Sequence, residues 1–135
     1  MRSAQKRSGV AKWGLSCQAA AMATEITINL LQGSGRFSFS PEAAQDLKQA
    51  LMDLMVNLKA AAAQGSSGPR KGMPSMEYQY TGEVFLEVFC NPNIWPSPFA
   101  AKLLITLRDD RIRLTTEAEL TRILEDIVLY LETHS

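Results

Sequence analysis

The chain has 135 residues, 46% of them hydrophobic and 21% charged, which suits one soluble domain with enough chain for a modest core. Its 14 basic and 14 acidic residues cancel, yet Arg2, Lys6, Arg7 and Lys12 all fall in the first 21 residues, which hold no acid, so the rest is net −4, ten bases against fourteen acids. A mildly acidic domain argues against nucleic acid as the main partner, and no run approaches the roughly 18 apolar residues that a membrane span needs.

Residues 1–21 read MRSAQKRSGVAKWGLSCQAAA, with no convincing strand or helix period. Three readings stay open for them. They are a disordered basic tail, an Arg- and Ser-rich targeting segment, or an extension upstream of a second start at Met22. The apolar core of a secretory signal is missing, and Trp13 with Leu15 allows peripheral membrane contact at most. The single folded domain is therefore expected over residues 22–135.

Glu25-Ile26-Thr27-Ile28-Asn29-Leu30 alternates at the period of a half-buried strand. Gln32-Gly33-Ser34-Gly35 signals a turn, and Arg36-Phe37-Ser38-Phe39 resumes the alternation, which predicts a hairpin. Ser40-Pro41-Glu42 then carries three helix-start signals: a capping hydroxyl, a proline for the first position and an acid for the dipole. Leu47, Leu51, Leu54, Met55 and Leu58 form the buried stripe of a helix over about residues 41 to 63, and Gly65-Ser66-Ser67-Gly68-Pro69 ends it. A loop through Pro69-Arg70-Lys71-Gly72 to Pro74 leads on within the same domain.

Met76 to Thr81 and Glu83 to Cys90 read as one long bent strand or a tight pair. A loop with three prolines runs from Asn91 to Pro98; Ala101 to Arg108 is a strand, Asp109-Asp110 a turn, and Arg111 to Leu114 the returning partner. Thr116-Glu117-Ala118-Glu119 matches a capping box, and Leu120, Ile123, Leu124, Ile127 and Leu131 supply the apolar face of a second helix. The expected fold is α+β, with a mostly antiparallel sheet of about five strands and two amphipathic helices on one face, a two-layer sandwich. Alternation sends Val84, Leu86, Val88, Cys90, Leu103, Ile105, Leu107, Ile112 and Leu114 toward the helices.

Little in the sequence supports catalysis. The one histidine, His134, adjoins the C-terminus, and Cys90 closes an apolar strand, where cysteine usually packs as a small core residue. Cys17 and Cys90 sit in no metal spacing and are expected as free thiols of a reducing compartment. Asp109-Asp110 lacks calcium-loop spacing, Glu125-Asp126 reads as a solvated helix face, and Gly33-Ser34-Gly35-Arg36 lacks the Lys-Ser/Thr ending of a phosphate loop. No cofactor or metal is expected.

Two features point instead to a protein partner. Trp95 and Phe99 stand in a proline-stiffened loop, where aromatic anchors lose little entropy on docking; their alternative is to fold over the core edge. The sheet face away from the helices is expected to carry Glu83, Phe85, Glu87 and Phe89, then Lys102, Leu104, Thr106 and Arg108, then Arg111 and Arg113. Its glutamates can pair with the bases across strands, each pair contributing ~0.2–1 kcal/mol. Its apolar members can meet a partner.

The run Trp95-Pro96-Ser97-Pro98-Phe99-Ala100-Ala101-Lys102-Leu103-Leu104-Ile105-Thr106-Leu107-Arg108, with Thr115-Thr116-Glu117-Ala118-Glu119-Leu120, resembles small cyanobacterial proteins of unassigned function. The resemblance covers the last third of the chain and brings no active site with it. It implies a cytoplasmic or thylakoid-associated setting. The sequence thus leads to a non-enzymatic interaction module as the first expectation, a small-ligand or regulatory domain with a pocket between helices and sheet as the second, and an enzyme as the third.

Overall fold

The structure, a computed structural model, describes residues 24–63 and 72–134. The expectations for residues 1–21, Cys17 among them, for Gly65 to Pro69 and for Arg70 and Lys71 lie outside these.

The first hairpin forms as the alternation predicts. Strands β1 (Glu25–Asn29) and β2 (Ser34–Ser38) pair antiparallel, from Glu25 opposite Ser38 to Asn29 opposite Ser34. Leu30 N donates to Gly33 O at 3.0 Å, and the turn needs Gly33 at φ 93°, which a side chain would strain. The glycine-rich segment is thus a hairpin turn, and Arg36 Nε donates to Thr27 Oγ1 across it.

Helix α1 (Pro41–Ala63) opens as read: Ala43 N donates to Ser40 Oγ at 3.1 Å, one of the helix's four unpaired donors satisfied by the cap. It buries Leu47, Leu51, Leu54 and Leu58, each such side chain stabilising the fold by ~1.5–3 kcal/mol, with Met55 half-buried beside them.

Four strands then make the main sheet in the order β3 (Met76–Thr81), β4 (Phe85–Cys90), β5 (Lys102–Arg108) and β6 (Arg113–Glu119), every neighbour antiparallel. The ambiguous stretch from Met76 to Cys90 is the tight pair, turning through Gly82 to Val84. Among the described residues there are thus six antiparallel strands, close to the expected five, divided into sheets of two and four. The second sheet arises because the first hairpin pairs along its length only with itself, its backbone bond to the main sheet being Leu31 N donating to Glu117 O at 3.0 Å on the free edge of β6.

The capping box is the expectation that fails. Thr116, Glu117, Ala118 and Glu119 are strand residues, paired in register with Ile105, Leu104, Leu103 and Lys102. The β5–β6 ladder, rich in β-branched and apolar residues on β5, runs the full seven residues of β6. Helix α2 (Leu120–His134) follows with no loop between them, and Leu120 N donates to Ala101 O instead of to a side-chain cap.

Leu86, Val88, Cys90, Leu103, Ile105, Leu107 and Ala118 on one sheet face share a core with the buried stripes of α1 and α2 and with Ile26, Ile28, Phe37 and Phe39 of the hairpin. Two inward assignments are corrected. Ile112 lies in the β5–β6 turn and is 69% exposed. Leu114 sits opposite buried Leu107 but on the edge strand β6, and is 45% exposed. Glu125 is solvated as expected, whereas its neighbour Asp126 is buried, its carboxylate accepting from Asn29 N and Asn29 Nδ2.

Candidate interaction surface

The face of the four-stranded sheet away from the helices is a grid fixed by strand register. Thr81, Phe85, Arg108 and Arg113 make one row across the strands. Gln79, Glu87, Thr106 and Thr115 make the next, and Glu77, Phe89, Leu104 and Glu117 the third. Lys102 and Glu119 close it at the far end. Alternation along β4 and β5 puts Phe85, Glu87, Phe89, Lys102, Leu104, Thr106 and Arg108 on this face as expected, with Arg113 beside them. The β3 members Glu77, Gln79 and Thr81 and the β6 members Thr115, Glu117 and Glu119 were not expected there, and Glu83 and Arg111 lie in turns.

The register also decides which partners meet. Glu87 lies opposite Thr106, not opposite a base, and accepts from Gln79 Nε2 at 3.2 Å. Glu83 falls in the β3–β4 turn, where its carboxylate accepts from Ser38 Oγ. The expected ion pairs of these glutamates with Lys102, Arg108, Arg111 and Arg113 are therefore not made. Among the described residues the ion pair within 4 Å is Arg122 with Asp126, on α2 at 3.6 Å.

Arg108 instead lies over the Phe85 ring, 4.4 Å from its centroid, an aromatic stack that holds the guanidinium at the surface. Arg113 is exposed at the end of the same row, and Arg111 is exposed in the turn rather than on a strand. Asp109 shapes that turn. Its Oδ1 accepts from Arg111 N at 2.8 Å and Ile112 N at 2.9 Å, and these backbone donors hold its carboxyl below the usual range. The turn reading of Asp109-Asp110 thus stands.

Either side of the Glu87–Thr106 row, Phe85 and Phe89 are half-buried and Leu104 is 43% exposed. Thr106 departs from the expected wet face. It is only 5% exposed, packed between its row neighbours, with its hydroxyl 3.2 Å from that of Thr115.

The proline loop divides its two aromatics. Asn91 caps the 3-10 turn Pro92–Ile94, and Asn93 bonds both backbone groups of Met73, donating from Nδ2 to its O and accepting from its N. Trp95 then packs against the core, its indole N–H donating to the Cys90 sulfur and its ring lying under Lys102 Nζ at 5.4 Å. Trp95 therefore folds over the core edge. Phe99 does not: it is 82% exposed.

Elsewhere the chemistry is sparse. Cys90 is a buried free thiol, pushed up to about 11 by desolvation against the weaker pull of the Trp95 donor. His134 stacks on Tyr130 at 4.5 Å, its Nδ1 3.0 Å from Tyr130 O. Among the described residues no three His, Cys, Asp or Glu side chains cluster as metal ligands do, and no helix is long and apolar enough to cross a membrane. The chain matches no protein-family model, no curated protein and no solved structure.

Proposed function

We propose that this chain is a non-enzymatic interaction module that receives another protein on the outer face of its main sheet. The observation that carries this reading is the uncovered row structure, in which Phe89 and Leu104, side by side on β4 and β5, form an apolar centre with Glu77, Glu87, Lys102 and Glu117 around it, and Phe85 stands beyond the Glu87 row. A sheet face meant only for water alternates cleanly to polar residues. An apolar centre with a polar rim is the anatomy of a docking patch, and arginine and aromatic side chains are the types that anchor one.

Each candidate has a part in that patch. Phe89 and Leu104 supply the centre, and Phe85 carries Arg108 already stacked and oriented. Arg111 and Arg113 present free basic groups at one end. Lys102, Glu83 and Glu87 tune the rim, and Phe99 extends the apolar contact beyond the sheet end. Trp95 acts as the support of its loop. A partner with apolar side chains among charges of both signs is the match, because Arg108, Arg111 and Arg113 share their end of the face with Glu83, Asp109 and Asp110. Such a module is a peripheral component of a larger assembly, including one attached to a membrane. The cyanobacterial resemblance of the last third would place it in the cytoplasm or against the thylakoid.

The test is capture from source-cell extract, soluble and detergent-treated, with the full chain and with a Leu104→Glu, Arg113→Glu variant. Both positions are exposed, so the variant keeps its circular dichroism spectrum and melting point. A partner held by the parent and lost by the folded variant supports the reading. The same partners on both chains would sink it.

A further inference from the structure

A second uncovered surface lies on the opposite side of the molecule, where α1 and α2 pack side by side. Their outward groove, about 380 Å³, is walled by Met52 on α1 and by Leu124, Val128 and Leu129 on α2. Met52 is 49% and Leu129 64% exposed, and Val56 continues the apolar line along α1. Together these side chains make a continuous exposed apolar strip between the two helices.

The charges around the groove say what covers it. Its basic side is α1, with Lys48 in the wall and Lys59 further along the same helical face. Its acidic side is α2, with Glu125 and Glu132. A partner of a single sign would gain on one rim and lose on the other. A second copy of this chain, turned about a two-fold axis running along the groove, lays α1 of each copy across α2 of the other. Both rims then meet their opposites twice, and the apolar walls close over each other. A two-fold axis across the groove would set lysine against lysine and glutamate against glutamate, so the charges select one of the two symmetric arrangements.

We propose that the α1–α2 groove is a homodimer interface, with the axis along the groove. The dimer would be a four-helix layer between two main sheets, whose outer faces point away from each other and stay open. The interface does not depend on what those faces bind.

The experiment is sedimentation equilibrium of the full chain from micromolar to sub-millimolar concentration. The expected result is a monomer–dimer equilibrium. Met52→Glu with Leu129→Glu, both at exposed positions, should give a folded monomer throughout. Lys48→Glu should weaken the dimer about tenfold, the scale of ~1.4 kcal/mol. Adding Glu125→Lys and Glu132→Lys to Lys48→Glu should recover most of that loss, which a merely hydrophobic association would not do. A chain monomeric at every concentration, or a dimer indifferent to Met52→Glu with Leu129→Glu, overturns the proposal. Failure of the charge exchange to recover affinity overturns the assigned axis.

Discussion

Asn29 and Asp126 are joined twice, Asn29 N donating to Asp126 Oδ2 at 2.7 Å and Asn29 Nδ2 to Oδ1 at 2.9 Å. This contact spans nearly the whole described chain and clamps the end of β1 to α2. Asp126 is buried, so its carboxylate relies on these donors, with Arg122 at 3.6 Å, in place of water.

Replacing Asp126 with Ala leaves both Asn29 donors without their acceptor. Charge-assisted bonds of this kind contribute ~1.5–3 kcal/mol each, and unpaired buried donors add a desolvation cost. Chemical denaturation should show a loss of about 3 kcal/mol, with an unchanged m-value if the chain remains two-state.

The two helix starts should answer differently to mutation. Ser40→Ala removes a bonded cap and should cost about 1 kcal/mol. Thr116→Val, at a position that resembles a cap in sequence but lies in β6, should be neutral or slightly stabilising, within about 0.5 kcal/mol. A loss of about 1 kcal/mol at Thr116 would restore the capping box.

Alkaline pH should destabilise the fold through three groups, Cys90, Tyr78 and Tyr130, the last also pushed up by burial. Burial pushes the Cys90 thiol from 9.0 up to about 11, and pushes the Tyr78 phenol, which donates to Ala43 O, from 10.0 up to about 12. A raised value in the folded state means the neutral form is favoured there. The stabilisation is therefore complete below pH about 9 and is lost as pH rises from there toward about 12. Denaturation midpoints should be flat from neutral pH to about 9 and then fall. In Cys90→Ala the fall should begin nearer 10.

Leu104→Ala should leave stability within about 0.5 kcal/mol of the parent, because that side chain already faces water. Leu103→Ala, one residue away on the buried face, should cost about 2–5 kcal/mol. Denaturation of the two variants checks the face assignment directly, since a register slip by one residue would exchange these outcomes.

Much of this architecture is legible in local pattern. Period-two alternation found the first hairpin and both faces of β4 and β5, and Ser40-Pro41-Glu42 marked the start of α1. Thr116 to Glu119 was misread because two signals overlap there: a box of helix-start residues and the tail of a strand. Only the seven-residue pairing with β5, a long-range fact, decides between them. The separation of Trp95 from Phe99 was hidden for the same reason, since the Cys90 sulfur that receives the indole is brought there by the sheet. The burial of Asp126 beside exposed Glu125 depends on Asn29, far away in sequence. Membership of the outer face is legible for β4 and β5, where the alternation is clean, but not for β3 and most of β6, whose place in the sheet, like the pairings, requires the register.

The most direct measurement of the central claim places a photo-crosslinking residue at Leu104 in the full chain, exposed to source-cell extract, with a control probe at Gln49 on the helical side. The proposed interaction predicts an adduct with another protein from position 104 that disappears when Arg113→Glu is added; position 49, beside Met52 and Val56 on α1, should give only the adduct with a second copy of this chain. The same adduct with another protein from both positions, or none from position 104 in either soluble or detergent-treated extract, would contradict it.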